Sequence, residues 1–424
     1  MRAIGRWGLT ALAVNTIVGS GIFGLPSLLA GSLGRASVLG MLLGGLASGV
    51  ILACFAEVAS YFTVAGGPYL YAKVAFGRFT GLQAGWMFWL SRLAAPAANA
   101  NLFVVYLGEF WPHAKDPLPR LIILTVLVWG LAAINLRGVR GGAQVSTVFT
   151  VAKLLPLLTV GIAGAWFLLK HGSIADVPAL APGPGAWLQA GLLMIFAYGG
   201  YEAALTPASE AKNPRRDAVF ALFAAGALSI VIYTLTQWVA LGTVHDLAHS
   251  ARPLADAARI ILGSTGARLV AIGALISVSG NLAANMVVVP RITFALAQQR
   301  DFPSIFAAVH SRFRTPYFSI LVFALLTWGL AISGSFAWNV GLSAFARLFY
   351  YVAGCVALPV LRKKMPGGAL FRLPGGPWFS MIGVIICGAL FTRVDFGGSL
   401  ILLGTILAAT LNWLVVRGNK PTAV

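Results

Sequence analysis

Glu57, Arg92, Lys153 and Glu202 stand inside long apolar runs. An ionisable side chain there is expensive, and so reads as functional. Two of the runs are also broken by glycine. Asn15 to Ser27 reads NTIVGSGIFGLPS, with Gly19, Gly21 and Gly24 followed by Pro26. Phe196 to Glu202 reads FAYGGYE. Unwinding a buried helix frees backbone groups that need a partner. Unwinding near Val18 to Gly21 leaves the amides of Ser20, Gly21 and Ile22 at a helix start, whose positive end favours an anion; the Ser20 hydroxyl adds a donor. Unwinding near Tyr198 to Gly200 leaves carbonyls at a helix end, which favours a cation. Glycines at 21, 199 and 200 let a ligand approach the backbone closely, and a larger side chain at Gly21 or Gly199 would block it. Taken alone, glycines in the first run also serve close helix packing.

The elements that hold these residues are membrane helices. Hydrophobic residues make up 59% of the chain, charged residues 10%, and the mean hydropathy is +0.87. Soluble domains carry roughly 25% charged residues. Apolar stretches of about 20 residues recur throughout, which predicts an all-α polytopic membrane protein. The pattern gives twelve spans, at about 8–33, 36–64, 79–110, 118–136, 143–170, 186–208, 217–243, 266–297, 316–334, 336–361, 376–393 and 397–416. No loop is long enough for a soluble domain, so residues 1–424 read as one transmembrane domain. The first apolar stretch leads straight into further spans, and no cleaved leader is expected.

The net charge of +19 follows the membrane rather than a nucleic acid. With an inside amino terminus, eighteen Lys and Arg fall on inner segments and eight on outer ones. That is the positive-inside pattern, and an even span count puts both termini in the cytoplasm. Cys54, Cys355 and Cys387 lie in different spans without metal-like spacing and read as small hydrophobes. The five histidines map to loops. No metal, cofactor or catalytic constellation is expected.

The broken spans are the first and the sixth. They are offset by five spans, an odd number, so they run in opposite directions. Two interrupted helices at corresponding positions of two halves point to an inverted-repeat transporter. Residues 1–170 then form one repeat, 171–361 its inverted partner, and 362–424 the last two helices.

Several motifs add a family. The chain resembles amino acid permeases of the amino acid–polyamine–organocation (APC) superfamily. Gly19-Ser20-Gly21-Ile22-Phe23 is similar to their first-helix signature. Ala56-Glu57-Val58-Ala59, Ala65 to Tyr71, Phe76-Gly77 and Gly85-Trp86 resemble the second-to-third helix region. Glu210 to Asp217 resembles the loop after the sixth helix. The resemblance implies the five-plus-five inverted-repeat fold and sodium-independent transport of amino acids, by proton coupling or exchange. It places a substrate carboxylate on the amides of Ser20, Gly21 and Ile22. The substrate amine falls on the carbonyls of Ile17, Phe196 and Gly199, beside Gly200, with Phe196 as the occluding aromatic. Arg92 and Asn99 fall on the stretch lining the side-chain pocket.

Glu57, Lys153, Tyr198 and Glu202 are the candidates for coupling and gating. By the same resemblance, the Lys153 ammonium occupies the place where sodium-driven relatives bind sodium; snorkelling to the interface is the alternative. Glu202 either couples gating to protons or pins the break. Arg92 lies about 13 residues, or about 20 Å, into its span, near midplane. It either meets an acidic substrate group or pairs with Glu57 or Glu202. Arg291 and Arg347 read as gate or interface residues. A membrane sensor using the same pocket without transport is the competing function. The partners expected are a small-molecule substrate, membrane lipid and protons; the oligomeric state is open.

Overall fold

The computed structural model describes residues 6–62, 66–138, 142–175, 177, 181–204 and 214–418. Residues 210–213 of the Glu210 to Asp217 motif, and Ala65, lie outside the described residues.

The described residues fold into fifteen α-helices without a strand. They are α1 (Arg6–Ile17), α2 (Gly21–Leu33), α3 (Ser37–Ser60), α4 (Gly67–Phe76), α5 (Arg78–Leu107), α6 (Pro117–Leu136), α7 (Gly142–His171), α8 (Pro184–Ala197), α9 (Tyr201–Ala204), α10 (Pro214–Thr243), α11 (Pro253–Gln298), α12 (Tyr317–Ser333), α13 (Phe336–Lys364), α14 (Gly376–Phe391) and α15 (Phe396–Val416). Seven stretches are long and apolar enough to cross a membrane, the first of them running through α2 and α3. Three shorter apolar helices, α8, α12 and α14, accompany them. The chain is a multi-pass helical membrane protein.

Both expected breaks are present. Helix α1 stops at Ile17 and α2 starts at Gly21; α8 stops at Ala197 and α9 starts at Tyr201. Two elements differ from the sequence reading. The connection after α3 contains α4, opened by Pro68 in its first turn, where proline's missing N–H costs nothing. The connection before the eighth expected span is helical from Pro253, with a sharp corner at Gly263 (φ 73°), a conformation that glycine adopts without a Cβ penalty.

Two hydrophobic clusters form the interior. The larger runs through α1, α2, α3, α5, α8, α10 and α13 and encloses both breaks. The smaller joins α5, α6, α11 and α12 through residues such as Leu93, Leu124, Met286 and Phe323. Buried polar clamps lock the helix ends. Glu57, at the end of α3, takes a bidentate grip from Arg362 (Nε and Nη2, both 2.7 Å) and the Leu373 amide (2.8 Å). Asp301, just beyond α11, binds Lys73 at 2.9 Å, Arg78 at 2.6 Å and the Tyr69 hydroxyl. The three cysteines are free and buried, and Cys355 lies against Cys54 where α3 and α13 pack. Among the described residues no His, Cys, Asp and Glu group has the arrangement of a metal site.

Candidate functional site

The two breaks touch. Gly200 has φ +111°, and a Cβ there would meet the Thr16 carbonyl oxygen at 2.5 Å. A Cβ on Gly21 would meet the Ala197 Cα at 3.1 Å. Both contacts are with backbone: at Gly200 the overlap leaves no room for a Cβ beside the end of α1, and at Gly21 a Cβ would need the end of α8 to give by a few tenths of an ångström. These two glycines therefore set the distance between the broken helices.

Each break leaves a different kind of backbone group. Across the first, Val18 N–H still donates to Val14 O, and the next backbone bond is Phe23 N–H to Ser20 O at 3.1 Å. Between them, the amides of Ser20, Gly21 and Ile22 stand at the N-terminus of α2, where a helix has no acceptor of its own. The Ser20 hydroxyl is buried and has no hydrogen-bond partner. The carbonyls at the end of α1 are in part already held. Lys153 is buried and donates to Asn15 O at 2.7 Å and Val18 O at 2.6 Å. An ammonium at a helix C-terminus is favoured by the helix dipole, and it satisfies carbonyls that would otherwise be unpaired in the bilayer. Ile17 O accepts from the Tyr233 hydroxyl at 3.1 Å, and one lone pair remains.

Glu202 organises the second break. Its Oε2 accepts from the Gly200 amide at 3.0 Å and from Tyr351 at 3.4 Å. Its Oε1 accepts from Tyr350 at 2.7 Å and pairs with Arg92 at 3.2 Å. Arg92 Nη2 also approaches Gly200 O at 3.5 Å. Of the two acids left open as partners of Arg92, the structure pairs it with Glu202; Glu57 is taken by Arg362. Tyr198 is anchored away from the gap, its hydroxyl donating to Met41 O at 3.0 Å. Phe196 is buried on the last turn of α8, and Phe196 O accepts from the Gly199 amide at 3.3 Å. Asn99 donates its amide to Asn281 Oδ1 at 2.7 Å, and Asn281 lies against Gly19 of the first break.

Arg347, read from the sequence as a gate or interface residue, lies beside the second break. It is 3% exposed, its guanidinium carbon lies 5.5 Å from the centre of the Phe196 ring, and a Cβ on Gly199 would collide with its Nη1. Its depth carried the signal. It lies about eleven residues, or about 17 Å, into α13, comparable with Arg92 in α5. Arg291, by contrast, is exposed and bonds only its own helix, at Val287 O.

A cavity of about 280 Å³ lies one to three turns away from the breaks. Leu28 and Ser32 of α2, Leu193 of α8 and Leu342 and Phe345 of α13 line it, so it borders the turns that carry Phe196 and Arg347.

The arrangement can hold an anion at the start of α2 and offers carbonyls across the gap. Comparison with known proteins agrees with a transporter. The family model described as amino acid permease matches residues 4–402. An uncharacterized transporter of Mycobacterium tuberculosis is 29% identical over 365 residues, covering 84% of this chain and 80% of its own length. A transporter of Mycobacterium bovis matches to the same extent. The methylthioribose transporter of Bacillus subtilis is 25% identical over 407 residues, covering 91% of this chain and 87% of its own. The chain belongs to the amino acid permease family of the APC superfamily.

Proposed function

We propose that the protein is a secondary transporter that moves L-amino acids across the cytoplasmic membrane by alternating access around its two helix breaks. The observation that carries this reading is the apposition of the breaks at Gly21 and Gly200, beside a Ser20 hydroxyl without a hydrogen-bond partner and the amides of Ser20, Gly21 and Ile22, which make no backbone bond. A carboxylate supplies acceptors for those donors, and the free lone pair of Ile17 O, with the carbonyls of Phe196 and Gly199, takes the amine. The whole is a five-plus-five inverted repeat of twelve helices with both termini inside. The neighbouring cavity is the vestibule, and Phe196, one turn beyond its lining residue Leu193, separates it from the break.

The Lys153 contacts support sodium independence, because its ammonium already occupies the carbonyls of Asn15 and Val18. Coupling then runs through protons or exchange. The methylthioribose relative shows that family members are also named for ligands that are not amino acids, so the substrate assignment rests on the site and not on the family.

Counterflow of labelled amino acids in sodium-free proteoliposomes tests the proposal. Saturable counterflow is expected. Binding without any uptake or counterflow would favour a sensor, and neither binding nor flux would remove amino acids as ligands.

A further inference from the structure

The charges around the second break do not balance. Glu202 accepts from four donors: Arg92, Tyr350, Tyr351 and the Gly200 amide. A carboxylate has about four lone-pair sites, so it is filled. Arg347 lies within its field. However, the Nε and Nη1 groups of Arg347 are buried and have no hydrogen-bond partner. An unpaired buried donor asks for an explanation. Tyr351 is its other polar neighbour. The cluster of Arg92, Arg347 and Glu202 thus carries one positive charge in excess.

The position of that excess matters. Arg347 Nη1 points at Gly199, inside the gap, and the guanidinium spans the Phe196 face. The Ser20 hydroxyl and the start of α2 are a separate set of donors at the other break. A zwitterion on the α2 amides adds no net charge, so it leaves the excess in place. We infer that the substrate carries a second anionic group, which Arg347 binds, and that the site is built for acidic amino acids. This rests on the amino acid reading above. Arg92 then acts as a positioning residue that holds Glu202 and the Gly200 carbonyl, and Arg347 as the specificity-determining contact.

The test is a counterflow competition panel, with L-glutamate and L-aspartate set against L-glutamine and L-asparagine, which match them in shape, and against L-alanine, L-leucine and L-lysine. Wild-type protein is expected to prefer the acids over their amides at least about tenfold, the scale of one charge-assisted hydrogen bond. Arg347→Met should remove that preference, and Arg347→Lys should restore part of it. If Arg347→Met does not insert, the wild-type panel alone decides. Preference for neutral or cationic amino acids overturns this inference and leaves the transport proposal standing. Acid preference that survives intact in Arg347→Met overturns the assignment to Arg347. No flux or binding with any compound overturns the transport proposal itself, and this inference with it.

Discussion

The contact between the breaks yields a sharp expectation for Gly200→Ala. Gly200 sits at φ +111°, where an L-residue is strained by roughly 1–2 kcal/mol. Its added Cβ would lie 2.5 Å from Thr16 O and 3.1 Å from Thr16 C, both backbone atoms. Relieving that overlap forces the end of α1 away, at about 1–3 kcal/mol by analogy with overpacked cores. The total is about 2–5 kcal/mol, and at about 1.4 kcal/mol per tenfold that is roughly thirtyfold to several thousandfold. If α1 moves away from the gap, the loss appears in substrate affinity; if the overlap is not relieved, it appears in thermal stability.

Two controls separate the causes. Gly367→Ala has positive φ but open space, and Gly130→Ala has open space without such a φ. Affinity by scintillation proximity and Tm in nanodiscs would be measured on all three. Gly200→Ala should lose well over tenfold in affinity or show a Tm clearly below both controls. If its affinity and Tm match those of Gly130→Ala, the two breaks are not in the contact described, and the reasoning about their apposition is wrong.

Two further expectations follow from the buried clamps. Lys153→Met removes the donors on Asn15 O and Val18 O; at roughly 1.5–3 kcal/mol per charge-assisted bond, the variant should lose most counterflow and several degrees of Tm, and wild-type rates at every pH would deny Lys153 its role. Asp301 titrates outside the membrane-spanning helices. Burial pushes its carboxyl up, but hydrogen bonds from Tyr69, Lys73 and Arg78 outweigh that and hold it below its ordinary value of 3.8. Its stabilisation is therefore full above that value and lost as pH falls through the lower, folded one. Wild type should be more stable than Asp301→Asn at neutral pH, and the two Tm values should converge in acid. A constant difference across the pH range would show that charge is not what Asp301 contributes.

The breaks were legible in the sequence because a second broken run stood at the right offset; the first run alone was equally compatible with close helix packing. The backbone donors at Ser20 to Ile22 followed from helix geometry alone. Partnerships between distant charges were not legible. Glu57 and Arg362 are 305 positions apart, and nothing local marks them as a pair. Arg92 had two equally acidic partners in reach until the fold put Glu57 at a helix end and Glu202 at the break. Lys153 was recognisable as buried, but its grip on the carbonyls of α1 needed the packing of α7 on α1. Arg347 read as a gate or interface residue, and its place against Phe196 and Gly199 came only with the fold. That the nearest acid, Glu202, is already saturated is not legible locally, because the saturation comes from residues of α5 and α13 and from the break itself. Helix α4 was missed because its ten residues are too short for a span.

The most direct test of the account is hydrogen exchange by mass spectrometry in nanodiscs, with and without the amino acid that gives counterflow. The account expects substrate to slow exchange at Ser20, Gly21 and Ile22 and, at the same time, in the segment from Phe196 to Glu202. Protection confined to other helices, or protection at only one of the two breaks, would contradict the claim that the paired breaks are the substrate site.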